Sequence, residues 1–162
     1  MSDRLALMRD GTVVQIGTLS EILAEPVDYR GYERAHEVRA VGPAPILGSS
    51  DPTFRGDPAR WNPEQLLLAS LSQCHMLWLL HLASEAGVVV VDYRDQAHGV
   101  MEEAAGRPGR FRQAVLRPRV VVADAAMVEA AHGLHGRAHE LCFIANSVNF
   151  PVTHEPATVT SR

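Results

Sequence analysis

Residues 62–87 read NPEQLLLASLSQCHMLWLLHLASEAG. Asn62 suits a helix N-cap, Pro63 suits the first helical position, and Gln65, three residues after the cap, completes a capping-box pattern. Gly87 supplies the stop. The pattern predicts a helix of about 24 residues, roughly 36 Å long at 1.5 Å per residue. It is apolar on nearly every side, so nearly every side must be covered. The run from Leu66 to Ala83 is almost long enough to span a bilayer. Ser70, Ser72, Gln73, His75 and His81 interrupt it, which points to a buried core helix and to no membrane partner. Cys74, one of two cysteines in the chain, stands mid-helix, either as inert packing or as a reagent.

Around this helix the pattern is mixed. TVVQIG (12–17) and HEVRAVG (36–42) read as strands. Residues 43–61 hold four prolines and two glycines and read as a long loop, a length usually tied to function. Residues 88–102 and 109–124 read as two long strands joined by a Gly/Pro turn at 106–109. Asp124 can cap a second helix over about 125–145, and 148–159 reads as a closing strand. The order β-β-α-β-β-α-β gives an α+β domain with at least one antiparallel hairpin.

The 162 residues suit one domain, 1–162. With 46% hydrophobic and 21% charged residues and a net charge of −4, the composition is globular, without the basic field that would hold nucleic acid or anionic lipid. The N-terminal residues carry Asp3, Arg4, Arg9 and Asp10 and lack the apolar run of a signal peptide. A cytoplasmic location is expected, where two cysteines serve redox, catalytic, metal or packing roles rather than a standing disulfide. One domain of this size rarely encloses so apolar a helix, so a second copy is expected to cover it.

Cys74, Trp78 and His81 share one stripe of the first helix. On the second, His132, His135, His139 and Cys142 fall within an arc of about 80°. That face is a metal site, a Cys/His constellation, or a polar surface with nothing bound. Four ligands spread over about 15 Å of straight helix cannot share one ion with bonds of about 2.0–2.3 Å, so at most one adjacent pair contributes. The chain has no CxxC, HExxH, GxSxG or phosphate-cradling glycine loop.

NPEQLLLASLSQC (62–74) places Asn-Pro-Glu at a helix start ten residues before a cysteine. AHELCFIANSV (138–148) places the second cysteine near the end of the second helix. Together, with two strands between, they resemble the OsmC/Ohr family of osmotically induced and organic-hydroperoxide-resistance proteins, over about residues 10–160. The resemblance implies an OsmC-like fold, antiparallel sheets wrapped around two central helices in an intertwined homodimer. It also implies a peroxidase acting on organic hydroperoxides, with hydrogen peroxide a further substrate, and without metal or organic cofactor. Cys74 matches the peroxide-attacking cysteine, Cys142 the resolving one, and Glu64 the glutamate of the Asn-Pro-Glu motif. The family's arginine, from the loop between the first two strands, is Arg34 or Arg30, with Arg34, just before the second strand, preferred. The family's best-known branches carry phenylalanine after the first cysteine; here it is His75, which either tunes Cys74 or is a satisfied core histidine. Trp78, Phe54, Phe143 and Met76 are candidates for an apolar pocket or for ordinary core.

The implied chemistry is a thiolate attack on the O–O bond, a sulfenic acid and a disulfide. A nearby guanidinium favours the thiolate, and a carboxylate orients that guanidinium. A lipoyl- or thioredoxin-type dithiol recycles the disulfide. Glu64 and Cys74 lie about 15 Å apart along a continuous helix, so Glu64 is expected to serve the partner's Cys74. The rival reading is a non-catalytic OsmC-like protein that binds a small molecule or senses redox state.

Overall fold

The computed structural model describes residues 15–17, 30–104 and 107–161. The chain divides into two compact units, Met1–Leu66 and Leu67–Arg162. The first holds a small antiparallel sheet in the order β1 (Gln15–Gly17), β2 (His36–Arg39), β3 (Ile46–Gly48). The expected first strand is seen at 15–17; residues 12–14 lie outside the described residues. β2 stops at Arg39 rather than 42, and the chain turns at Gly42, whose φ of 106° lies in the left-handed region.

The expected loop 43–61 is more ordered than its prolines indicate. β3 lies inside it, and a single 3-10 turn, Pro52–Phe54, follows, with the Asp51 carboxylate accepting from Thr53 N at 2.8 Å. Ser49 N donates to Trp61 O at 2.8 Å and Trp61 N to Leu47 O at 3.0 Å, which closes the segment on itself. A Cβ at Gly56 would lie 1.6 Å from the Ser50 carbonyl oxygen, so only glycine permits that fold-back.

Helix α1 (Pro63–Glu85) is unbroken. The capping box forms reciprocally: Gln65 N donates to Asn62 Oδ1 at 2.7 Å and Asn62 N to Gln65 Oε1 at 3.1 Å. At the far end Gly87 takes φ 68° and Val88 N donates to Ala83 O at 2.8 Å, a Schellman closure. The buried residues of α1 are Leu71, His75, Leu79 and Ala83, successive steps of four and hence a single stripe.

The second unit holds two mixed sheets, in the orders β4 (Val90–Asp95), β7 (Pro118–Val122), β9 (Ala157–Thr160) and β5 (His98–Ala104), β6 (Arg107–Leu116), β8 (Val152–His154). The long strands expected over 88–102 and 109–124, and the closing strand expected over 148–159, are each broken in two. All three breaks fall at one level, and each segment passes from one sheet to the other. Asp95 sits at that level. Its Oδ1 accepts from Arg117 N at 2.7 Å and its Oδ2 from the Ser72 hydroxyl of α1 at 2.6 Å. Pro118 and Pro156, which lack an N–H, start the second halves. Both sheets pair their first two strands antiparallel, but β8 runs parallel to β6 and β9 to β7. The sheets are therefore not wholly antiparallel, because the crossover through a helix returns the closing segment in the same direction.

Asp124 caps the 3-10 turn Ala125–Met127 by accepting from Ala126 N at 2.8 Å. Helix α2 (Val128–Leu141) follows, shorter than expected, and a further 3-10 turn covers Ala145–Ser147. One core cluster gathers Leu79, Ala83, Val88, Val120, Val122, Ala131 and Ala138; another joins Leu71, Ala114, Leu116 and Val152.

Candidate thiol site

Cys74 lies midway along α1 and is half-buried. Cys142 is the C-cap of α2 and is 1% exposed; both are free thiols. In the second unit these two cysteines, remote in sequence, come close enough to act on each other electrostatically. Burial first, and then the contact with Cys74, push the Cys142 thiol up to about 11. Cys142 therefore keeps its proton at neutral pH. Its own sulfur accepts from Ala145 N at 3.4 Å, in the turn after α2.

Trp78, one turn beyond Cys74, meets the Phe143 ring edge-on at 5.7 Å and the His81 ring at 5.6 Å. An aromatic wall thus stands beside the thiols. Met76 is half-buried, and Phe54 belongs to the 3-10 turn of the first unit.

Glu64 occupies the first turn of α1, with Oε2 buried and unpartnered among the described residues. Because α1 is continuous, it stands about 15 Å along the axis from Cys74. Arg34 lies in the loop before β2, stacked over the Tyr32 ring at 3.8 Å, with its guanidinium donating to the Tyr32 carbonyl. Arg30, Arg34 and Arg55 line a cleft of about 450 Å³ within the first unit, with Tyr32, Ser49 and Asp57.

His75 belongs to a histidine cluster. It is 0% exposed, its Nε2 lies 3.0 Å from Nδ1 of His135, and His154 packs against both rings. Burial, then the neighbouring imidazoles, lower His75 to about 4 and His135 to about 3, so both are uncharged at neutral pH, and they lower His154 as well. The histidine face of α2 was visible in the sequence. The part of His154 was not, because its only sequence signal is a histidine on a strand two elements away.

The chain is thus an α+β protein with one free thiol midway along its long apolar helix and another at the end of its second helix. The sequence matches the OsmC-like protein family over residues 56–156, and the chain belongs to that family. An OsmC-like protein of unknown function from Vibrio cholerae is 34% identical, with a TM-score of 0.71 over 77% of this chain and 85% of that one. The organic hydroperoxide resistance protein OsmC of Legionella pneumophila superposes with a TM-score of 0.64 at 16% identity, over 92% and 96% of the two chains. One from Elizabethkingia anophelis gives 0.61 at 18%, over 80% and 90%. These two likenesses show the fold. No curated protein matches the sequence.

Proposed function

We propose that this chain is a cytoplasmic, homodimeric thiol peroxidase that reduces organic hydroperoxides. The observation that supports it is the pairing of two free thiols that act on each other, Cys74 half-buried mid-helix and Cys142 buried and protonated. The Cys74 thiolate attacks the terminal peroxide oxygen. The S–O bond forms, the O–O bond breaks, and the alkoxide leaves with a proton as the alcohol. The Cys142 thiol then displaces water from the sulfenic acid, and a dithiol of lipoyl or thioredoxin type returns both thiols. Arg34, or Arg30, polarises the peroxide and holds the thiolate, and Glu64 orients that guanidinium from the second copy. Trp78 and Phe143 offer the alkyl part an apolar surface.

The test is to add one equivalent of cumene hydroperoxide to the reduced protein and count free thiols. Wild type should lose both, Cys74→Ser none, and Cys142→Ser should hold a sulfenic acid trappable by dimedone. Thiols unchanged after minutes in wild type would instead assign the chain to the non-catalytic, ligand-binding or redox-sensing reading.

A further inference from the structure

Arg34 stands in irregular chain two residues before His36, the first residue of β2. Its guanidinium lies over the Tyr32 ring and donates to the Tyr32 carbonyl. Its own carbonyl is gripped by a side chain, because Nδ1 of His36 lies 2.9 Å from the Arg34 oxygen. A carbonyl only accepts, so the His36 ring carries a proton on Nδ1 and donates it to that bond.

The ring is itself seated. His36 pairs in register with Gly48 of β3, and the imidazole fills the space that a side chain at 48 would take. A Cβ at Gly48 would overlap Nε2 and lie 2.9 Å from both Cδ2 and Cε1. Gly48 is buried and bridges to Trp61, so the seat is tied to the chain that leads into α1. The His36 carbonyl accepts from Nη1 of Arg60 at 3.3 Å, and Arg60 in turn lies 3.5 Å from the Asp57 carboxylate. All of these contacts are made within the first unit.

We infer, building on the thiol chemistry proposed above, that His36 is a positioning residue for Arg34: seated on Gly48, its Nδ1–H fixes the backbone from which the guanidinium extends. A guanidinium at the end of a long flexible side chain reaches a given place at less entropic cost when its Cα is already fixed. A shift of about 1 Å in a group that orients the reactants is worth about a hundredfold in rate. Arg30 and Arg34 line the same cleft, and the anchor distinguishes them. His36 holds Arg34, and among the described residues no side chain holds Arg30 in this way. Arg34 is therefore the arginine whose place the fold specifies.

The experiment uses the reduced full-length protein and the variants His36→Phe, His36→Asn, Arg34→Ala and His36→Phe/Arg34→Ala. Phenylalanine keeps a ring on Gly48 and removes the donor; the asparagine amide nitrogen takes the place of Nδ1. A long-range ¹H–¹⁵N spectrum of wild type should show the His36 proton on Nδ1. Trypsin should cut the Arg34–Ala35 bond several-fold faster in His36→Phe than in wild type. With cumene hydroperoxide, kcat/KM should fall by about ten- to a hundredfold in His36→Phe and return toward wild type in His36→Asn. In the Arg34→Ala background His36→Phe should add no further loss, since a residue that acts through Arg34 has nothing left to position. A neutral ring protonated on Nε2 alone, or losses that add in the double variant, would overturn the assignment. A wild type that turns over peroxide and is indifferent to His36→Phe would overturn the positioning role and leave the thiol chemistry standing. A wild type inert to peroxide, with the Nδ1 proton and the trypsin protection in place, would overturn the thiol reading and with it the purpose given to the anchor.

Discussion

Tyr93 carries its hydroxyl into the second unit with no hydrogen-bond partner among the described residues, while its ring packs on the Leu79–Val120 core. Burial, and then the Asp95 charge, hold its phenol well above the ordinary range near 10. An unfolded tyrosine ionises first, so above pH 10 the unfolded state binds fewer protons and stability falls as pH rises. Tyr93→Phe removes the unpartnered oxygen. Stability at pH 7 should be unchanged or higher, and the decline above pH 10 should be shallower than in wild type, as read by urea unfolding at both pH values. An ultraviolet titration of the three tyrosines should show one ionising after the others, and that step should vanish in the variant. At this scale the sequence makes legible the residues that local spacing sets apart. Cys74 and Cys142 stood out with Asn-Pro-Glu as a frame, and His132, His135 and His139 stood out by helical spacing. The adjacency of the two cysteines, and the arrival of His154 beside His75, depend on where β8 and the end of α2 come to rest.

At the scale of the element, what was legible was whatever closes within one turn. Asn62 and Gln65 bond reciprocally at 2.7 and 3.1 Å, and Asn62 also donates to Asp51 at 3.1 Å. Asn62→Ala should cost about 1–2 kcal/mol in chemical denaturation. Gln65→Ala, which removes only the returning half, should cost less. Gly87→Ala forces a Cβ into φ 68° and should cost about 1 kcal/mol. The strand breaks were not legible. A run such as VVVVDYRDQAHGVME satisfies the strand pattern throughout, and the switch of sheets at 96–97 is set by Asp95 reaching Arg117 and Ser72 across the fold. Asp95→Ala should leave the Arg117 N–H without its acceptor and cost about 1–3 kcal/mol. Asp92→Ala, whose carboxylate pairs with the exposed Arg94, should change stability by less than about 1 kcal/mol.

At the scale of the whole molecule, α1 has more apolar surface than one chain covers. Its buried residues form one stripe, Leu77 is 60% exposed, and Phe143 beside the thiols is 58% exposed. A second copy laid on those surfaces is the expected state, and Leu77→Glu should shift the sedimentation of the protein from dimer to monomer. The continuity of α1 gives that expected dimer a bearing on the proposed chemistry. Glu64 stands about 15 Å along the axis from Cys74 of its own chain, and its Oε2 is buried with no partner among the described residues. A composite site places the Glu64 of one protomer at the Cys74 of the other, and this is testable by mixing. Cys74→Ser homodimers have no nucleophile, and Glu64→Ala homodimers have no orienting carboxylate. In a heterodimer, the Cys74 of the Glu64→Ala chain faces the intact Glu64 of the Cys74→Ser chain, and the other site lacks both groups. After denaturation and co-refolding at equal amounts, half of the dimers are mixed and each holds one intact site, so cumene hydroperoxide turnover should rise to about a quarter of wild type. If Glu64 instead served its own chain, every Cys74 in the mixture would lack its carboxylate, and co-refolding would add nothing to the average of the two parents.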